Sequence, residues 1–441
     1  MREMRQLLLG GGAALAVLTW LPLAADAEEF GYDYGGYVNF SGYILNQDQA
    51  PGSDVPDFGF AADAHVNGRA KVILDDGVEL GVRGQLRFES SEARFSDDMI
   101  RGAPKYLDKF FIYAQHAFGR LSIGDDYGAA EQSAIFAPVV SEANRVDDPR
   151  HYILQDPLQD SFTPFTPNGA HMRTDLNASG EAFKIMYASP RLMGAELDVS
   201  YTPTLTRGVG DIFDGHNKFD RQSNILEGNL SYQKSLGGFD FGVYAGYVTG
   251  SNERTSAAIV LPIAAIPLAG GGPALFASKA FSPDDVQEYG AGAQVTYDGL
   301  KFGGSWRHTN IAGGGPLRDD NVSPVNSTGC GVLAGCVLPN ADTQIWSAGA
   351  TYETGPWQFG VNYANVNEQL PAFLDAGVTR NLTQNGDAWQ GTIGYEISNG
   401  IDVYAGYQHY NFDGPTGGCS TLACDTIEAN VGFLQTAVAF P

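Results

Sequence analysis

The 441-residue sequence has little positive charge and no recognisable catalytic motif. It contains 26 Lys and Arg residues against 51 Asp and Glu residues, for a formal net charge of -25 at pH 7. Nucleic acids are polyanions, so this charge excludes a nucleic-acid binder on electrostatic grounds. Neither the HExxH motif of zinc proteases nor the G-x-S-x-G motif of serine hydrolases is present. An enzyme is therefore not indicated, and we expect no cofactor and no metal.

Long hydrophobic runs are also missing. Beyond the N-terminal segment no uninterrupted apolar run reaches the length of about 18 residues that a membrane-spanning helix needs, which excludes helical spans. The chain is instead rich in glycine, with 56 residues, and 12% of it is aromatic. This composition fits a soluble β-protein, or a barrel in which polar lumen residues dilute the lipid-facing ones.

The N-terminal segment has the pattern of an export signal. Arg2 and Arg5 precede an apolar run over residues 7–23, and Ala25, Asp26 and Ala27 form a small-x-small cleavage pattern. We expect residues 1–27 to be a cleaved signal peptide and residues 28–441 to form the mature, exported protein.

Only four cysteines are present, in two close pairs within glycine-rich segments. The pairs are Cys330 with Cys336 and Cys419 with Cys424. An exported protein meets an oxidising compartment, so two local loop disulfides are the favoured interpretation. Zinc binding is the alternative, but His308 and His409 are separated from the pairs by intervening loop.

Residues 344–363 carry the pattern around which the chain is organised. Apolar side chains occupy every second position from Trp346 to Tyr352, and again from Trp357 to Tyr363 after a short turn. A period of two predicts two antiparallel strands with one apolar face. Aromatic residues at the ends of that face, with small residues between, are typical of a membrane strand that crosses between two aromatic girdles.

The same unit recurs, and sixteen strands can be counted along the chain. Tight turns such as Asp298-Gly299 join them at one end. The connections at the other end are long, and the predicted ones are 124–181, 203–223, 250–285, 310–342, 367–387 and 413–425. An even count and connections sorted by length predict an all-β fold, a closed 16-stranded antiparallel transmembrane β-barrel of a bacterial outer membrane.

Four segments carry a resemblance to a known family. They are residues 69–89 (RAKVILDDGVELGVRGQLRFE), residues 109–128 (KFFIYAQHAFGRLSIGDDYG), residues 184–203 (KIMYASPRLMGAELDVSYTP) and the near-terminal Phe440. In their order and spacing they resemble the general porins of Gram-negative outer membranes, in particular the alphaproteobacterial members. That family usually ends at the aromatic residue, whereas here Pro441 follows Phe440.

The resemblance implies a homotrimer of water-filled barrels that sits among outer-membrane lipid and lipopolysaccharide. It also implies that the third long loop, residues 124–181, folds inward to form a constriction. In such a constriction the acidic groups of the loop face basic groups on the barrel wall.

Strand alternation supplies a candidate basic wall. The apolar residues of the strand over residues 78–88 face lipid, where a charge near midplane would cost about 2–4 kcal/mol, so its arginines point into the lumen. Neighbouring strands add further cations, and the candidate basic residues are Arg69, Lys71, Arg83, Arg87 and Lys109. The candidate acidic residues lie near the middle of the third long loop and are Glu142, Asp147 and Asp148.

The expected function is passive diffusion of ions and small hydrophilic solutes, with a weak preference for cations because the net charge is -25. One alternative is a channel specific for a sugar or another small solute. Such a channel would have an aromatic track, for which the lumen-facing candidates are Tyr113, Tyr244, Tyr404 and Tyr410. Another alternative is a structural or adhesive barrel that does not conduct.

Residues 257–281 form an unusually apolar loop. Pro262, Pro267 and Pro273 exclude a spanning helix in this segment. Packing of the loop on its own barrel is the favoured interpretation, and contact with a neighbour or a partial lid is the alternative.

Overall fold

The computed structural model describes residues 27–47, 57–89, 107–147, 172–180, 182–204, 222–252, 285–310, 343–375, 378–412 and 427–440. The cysteine pairs, the apolar loop 257–281, Asp148, Pro441 and nearly all of the predicted signal peptide lie outside these ranges. The predictions made for them stay predictions. Across the described ranges, no helix is both long and apolar enough to cross a bilayer.

The described residues form sixteen strands and one short helix, α1 (Ala129–Gln132). The strands are β1 (Ala27–Gln47), β2 (Phe58–Leu74), β3 (Glu79–Glu89), β4 (Leu107–His116), β5 (Gly119–Asp125), β6 (Phe183–Ala188), β7 (Ala195–Thr204), β8 (Gln222–Leu236), β9 (Phe239–Asn252), β10 (Val286–Tyr297), β11 (Leu300–Thr309), β12 (Thr343–Thr354), β13 (Trp357–Asp375), β14 (Val378–Ser398), β15 (Ile401–Phe412) and β16 (Ile427–Phe440).

These strands form one closed antiparallel barrel. Each strand pairs with its neighbours along the chain, and β1 closes the ring against β16, from Gly36 opposite Phe440 to Gln47 opposite Ala429. Closure satisfies every strand edge, which a barrel needs in hydrocarbon because no water is available there to bond free N–H and C=O groups. The predicted fold class, a closed 16-stranded antiparallel barrel, is confirmed.

The barrel is apolar outside and polar inside, as strand β7 shows. Its outward residues Leu197 and Tyr201 are 49% and 41% exposed, whereas inward Asp198 and Ser200 are 1% and 3% exposed. A soluble protein has the opposite arrangement, because burying polar groups and exposing apolar ones is unfavourable in water. An exposed apolar surface that surrounds the whole barrel requires an apolar solvent, and lipid supplies it.

Two rows of aromatic side chains mark the ends of this apolar surface. In one row the ring centroids of Trp346 and Tyr363 are 4.9 Å apart, and those of Trp389 and Tyr407 on the next strands are 5.2 Å apart. In the other row Trp357 lies 4.8 Å from Tyr395, and Phe239 lies 4.3 Å from Tyr297. The prediction from residues 344–363, small residues between two aromatic ends, is confirmed in the paired strands β12 and β13.

The connections at one rim are tight turns. In the turn between β10 and β11, Tyr297 pairs with Leu300. The two residues between them, Asp298 and Gly299, both have positive φ angles of 48° and 77°. A type I′ turn requires this conformation at both central positions, and Asp and Gly adopt it most readily. The hairpin predicted from Asp298-Gly299 is therefore confirmed.

The predicted long loop over residues 367–387 is wrong. β13 continues to Asp375 and β14 begins at Val378, so only residues 376–377 separate two long paired strands. The polar side chains and Pro371 of this stretch interrupt the alternating pattern of a strand. The proline falls where the pairing register shifts between Leu370 and Phe373, and at such a bulge its missing N–H leaves no ladder bond unmade.

Candidate pore lining and constricting segment

The connection between β5 and β6 begins at the inner face of β7 and β8. The backbone N–H of Ala129 donates to Ser200 Oγ at 2.9 Å. A Cβ on Gly128 would lie 1.7 Å from a carboxylate oxygen of Glu227, so only glycine allows the chain to approach the wall this closely. The buried Lys184 Nζ donates to the carbonyl oxygens of Asp126 and Gly180, and thus joins the two ends of the connection.

Residues 133–147, which we call the constricting segment, then run along the inner wall. Side-chain amides on successive strands donate to its carbonyl oxygens. Gln294 of β10 bonds to Phe136, and Asn362 of β13 bonds to Pro138. The residues that flank these amides on their strands, such as Ala293 and Val361, face outward, so the segment lies on the lumen side of the barrel.

Asn144 bonds the constricting segment to several strands at once. Its carbonyl oxygen accepts hydrogen bonds from Gln390 of β14 at 2.8 Å and Gln408 of β15 at 3.0 Å. Its side-chain amide donates to Ser41 of β1 and to Gln435 of β16, at 3.1 Å and 2.5 Å. One residue therefore fixes the segment to four neighbouring strands.

Glycines on the inner face make room for the constricting segment. A Cβ on Gly292 of β10 would lie 2.0 Å from the carbonyl oxygen of Ile135, and one on Gly349 of β12 would lie 2.5 Å from that of Pro138. Any larger residue at these positions would displace the segment from the wall. We call the inner faces of β9–β16 the covered wall.

Apolar packing adds to the hydrogen bonds on the covered wall. Val146 of the constricting segment and Met172 pack in a buried cluster with inward side chains of the barrel. The barrel members are Leu45 of β1 and, on the covered wall, Ile345, Ala364, Val366, Ala388, Tyr410, Phe412, Ala429 and Val431. Leu176 anchors a second cluster with Ile225, Val248 and Val286. The loop residues on both sides of the undescribed stretch are therefore held to the wall.

Two of the predicted acidic residues lie together, around an arginine of their own segment. Arg145 Nε lies 2.8 Å from one carboxylate oxygen of Asp147, and an Nη atom lies 2.8 Å from the other. The other Nη atom lies 2.9 Å from Glu142 Oε2. Burial by itself would lower the pKa of Arg145, but the charges of Asp147 and Glu142 raise it well above its ordinary value.

The predicted basic residues on β2 lie beside carboxylates of their own side of the barrel. Arg69 pairs with Asp33 of β1, with Nε to Oδ2 at 2.8 Å. Lys71 Nζ lies 3.1 Å from Glu79 of β3, and the Tyr113 hydroxyl donates to the other oxygen of Glu79 at 2.7 Å. We call the inner faces of β1–β4 the charged wall.

Farther along the charged wall, Arg87 and Lys109 also meet local partners. Arg87 lies 4.0 Å from a carboxylate oxygen of Asp108, which in turn accepts a hydrogen bond from Gln85 at 2.5 Å. Lys109 Nζ lies 3.0 Å from the ring centroid of Tyr127, a cation–π contact.

Arg83 differs from these four cations. It is exposed on β3 directly opposite Arg69 of β2, and its guanidinium has no ion-pair partner among the described residues. All five predicted basic residues are therefore on one wall, but Arg83 alone of the five is left uncompensated by neighbours within the described part of the chain.

Sequence reasoning missed the residues that compensate these charges. Asp108 was overlooked because a bulge in β4, where the register with β3 shifts beside Gln85, turns it to the same side as Lys109. Strict alternation would place adjacent residues on opposite faces. Asp33 and Glu79 have inward positions by the same alternation that identified Arg69, so both could have been predicted from the sequence. No pattern in the sequence indicated the role of Arg145, because its pairing depends on how the loop folds.

No group of three or more His, Cys, Asp or Glu side chains is arranged to hold a metal ion within the ranges that the structure describes. The four lumen tyrosines do not form a continuous row. Tyr244 and Tyr410 are buried at 3% and 0% exposure beneath loop residues, and Tyr113 is 8% exposed and bonded to Glu79.

An apolar outer belt with two aromatic rows, a polar interior and a loop segment bonded to the inner wall define a membrane β-barrel of the outer-membrane type. Comparison with known proteins agrees with this class. A family model described as Gram-negative porin matches residues 13–415. The chain therefore belongs to the Gram-negative porin family, and it is an outer-membrane porin. None of the curated proteins compared with the chain matches it.

Solved structures share the fold at low sequence identity. A loop-deletion mutant of OmpT, an outer membrane protein of Vibrio cholerae, has a TM-score of 0.53 at 11% identity, over 93% of this chain and 99% of that one. OmpT folded in vitro, in its trimer form, has a TM-score of 0.51 at 10% identity, over 94% of this chain and 100% of that one. At such identities the likeness concerns the fold alone.

Proposed function

We propose that the protein is a general porin through which ions and small hydrophilic solutes diffuse passively, without any chemical step. The observation that carries this proposal is the division of the lumen into two unlike walls. The constricting segment narrows the barrel from the covered wall, while Arg69 and Arg83 remain in contact with solvent on the charged wall. A water path beside exposed charges is what a diffusion pore needs.

The proposed selectivity is a weak preference for cations. The charges near the constriction are mostly paired locally, so they contribute small net fields across the path. Of the two candidate acidic residues that the structure describes, Glu142 is the exposed one, with 77% of its side chain accessible, and Arg83 is an exposed cation. The effects of these two charges on ion preference partly cancel, so the net charge of -25 gives the preference for cations.

A channel specific for sugars is the second candidate, and the tyrosines argue against it. Sugar channels need consecutive aromatic faces in contact with the solute. Tyr113, Tyr244 and Tyr410 are buried, which leaves Tyr404 as the partly exposed member of the candidate track.

The proposed assembly is a homotrimer in outer-membrane lipid with lipopolysaccharide at its outer leaflet. Trimerisation is suggested by the trimer form of OmpT, a protein of the same fold. Contact with lipid is suggested by the outward apolar belt. Crosslinking of the refolded protein in detergent would give a trimer band if the assembly is correct, and only monomer if it is not.

Single-channel recording in a planar bilayer tests the function. The refolded mature protein should give uniform conductance steps in KCl, and maltose or glucose added at millimolar concentration should leave them unblocked. Blocking by a sugar would favour the specific channel. A complete absence of steps from protein that is folded by circular dichroism would favour a structural or adhesive barrel.

A further inference from the structure

Arg145 is the central residue of an ion cluster inside the constricting segment. Its guanidinium holds Asp147 with two hydrogen bonds of 2.8 Å and Glu142 with one of 2.9 Å. Its guanidinium carbon also lies 5.7 Å from the ring centroid of Phe136, which supports its flat face. All four groups belong to the same short stretch of chain.

The members of the cluster differ sharply in their contact with water. The side chains of Arg145 and Asp147 are 10% and 4% exposed, whereas that of Glu142 is 77% exposed. Two carboxylates around one guanidinium leave one net negative charge. Because Asp147 is matched by its two-bond contact with Arg145, the surplus charge is displayed at Glu142, on the side that faces water.

Two further arginine–carboxylate pairs continue this pattern behind the segment. Arg173 Nε lies 2.9 Å from Asp175 Oδ1, and Arg307 lies 2.7 Å from Glu288 Oε1. Burial would raise the pKa of Asp175, but Arg173 and Arg307 lower it below its ordinary value, so this carboxylate stays charged. The buried acids Asp147, Asp175 and Glu288 therefore each have an arginine beside them.

The position of the segment does not depend on Arg145. The neighbouring Asn144 is bonded to the covered wall through Gln390, Gln408 and Gln435, none of which touches the guanidinium. Changing the charge of Arg145 should therefore leave the backbone of the segment in place. Loss of one partner of a buried ion pair should lower the stability of the protein, but the bonds of Asn144 should keep the segment on the wall.

We propose that Arg145 is a specificity-determining residue of the pore, because it cancels the charge of Asp147 and thereby limits the preference for cations. This inference rests on the proposed function, since it concerns ions that cross the same lumen. It predicts that the loop carboxylates act through their balance with Arg145, and less through pairing with the cations of the charged wall.

The test compares reversal potentials of the refolded protein in a KCl gradient across a planar bilayer. Arg145→Gln leaves the charge of Asp147 unbalanced and should raise the K⁺ over Cl⁻ permeability ratio by about threefold, as expected for one additional charge near a narrow water path. The double variant Arg145→Gln with Asp147→Asn restores the net charge and should return the ratio to that of the wild type.

Arg191→Gln is the matched control. Arg191 also pairs with a carboxylate, Glu196, but it lies in the turn between β6 and β7 at the barrel rim with its side chain 38% exposed. The same loss of one positive charge there should change the permeability ratio much less. A shift as large as that of Arg145→Gln would overturn the proposal, because the effect would then be independent of position.

Two other results would also overturn it. One is a permeability ratio of Arg145→Gln equal to that of the wild type, and the other is a double variant that stays at the ratio of Arg145→Gln. If Arg145→Gln fails to insert, Asp147→Asn alone can be used to test the proposal. It should lower the permeability ratio by about threefold. An unchanged ratio would contradict the proposal. A wild-type protein without conductance steps would instead refute the porin function itself.

Discussion

The two walls of this barrel satisfy their polar interior side chains in different ways. On the covered wall, polar side chains such as Gln390, Gln408 and Asn362 are buried because a loop segment lies on them and supplies their hydrogen-bond partners. On the charged wall, the cations at Arg69 and Arg83 remain in water. The comparison shows that a polar interior can either bind a loop or face a solvent path, and that amides serve the first use and exposed charges the second.

The largest expected effect is a difference in unfolding free energy between two variants, each of which breaks an ion pair on one wall. Arg307 and Glu288 are 1% and 0% exposed, so Arg307→Gln leaves a buried carboxylate uncompensated and should cost about 3–5 kcal/mol of unfolding free energy. Arg69→Gln breaks a pair that is 39% and 56% exposed and should cost about 1 kcal/mol or less. Urea unfolding in lipid vesicles, followed by tryptophan fluorescence, measures both. Equal losses would remove the distinction between the walls.

A smaller effect is expected where the segment meets a glycine. Gly292→Ala puts a Cβ at 2.0 Å from the carbonyl oxygen of Ile135, so the segment must shift, at a cost of about 1–3 kcal/mol. The conductance should change with it. Gly391→Ala in β14, where a Cβ meets nothing within 4 Å, is the matched control and should behave as the wild type. Identical single-channel traces for both variants would mean that the segment is not held at Gly292.

Asn144→Ala removes the side-chain bonds to Ser41 and Gln435 but keeps the backbone carbonyl that binds β14 and β15. The expected loss of stability is about 1–2 kcal/mol, with noisier open-channel current because the segment is less restrained. Asn367→Ala breaks an exposed side-chain bond with Asn385 and should change stability by about 0.5 kcal/mol or less. A quiet current from Asn144→Ala would show that the remaining contacts suffice.

A measurable effect on selectivity is expected on the charged wall. Arg83→Glu combined with Arg87→Glu should shift the reversal potential toward cations, because both residues have inward positions on β3 and at least Arg83 is exposed to the water path. An unchanged reversal potential would remove these two residues from the narrow part of the pore.

Most of the fold followed from the sequence because a membrane barrel must alternate. Lipid enforces an apolar residue at every second position, so the strands and their inward residues, Arg83 among them, could be identified without contacts. The extension of β13 and β14 past residue 367 was missed, since those residues lie where Pro371 and polar side chains weaken the pattern. Strand ends outside the apolar belt are under weaker constraint.

The candidate site was predicted less completely, for two physical reasons. A bulge in β4 changes which residues face inward, so Asp108 could not be placed by counting positions. The pairing of Arg145 with Glu142 and Asp147 depends on how a loop folds, and no periodicity governs a loop. The predicted residues were chosen one sign at a time, whereas the structure groups both signs on each side of the lumen.

The central claim is that water and ions pass beside the charged wall while the covered wall is shielded by the constricting segment. Cysteine accessibility tests it most directly, in a background where the four native cysteines are replaced by serine. A charged thiol reagent should react rapidly at Arg83→Cys and reduce the current. It should leave the current of Thr392→Cys unchanged, because Thr392 on β14 is 3% exposed. Equal modification at both positions, or modification at Thr392→Cys alone, would contradict the account.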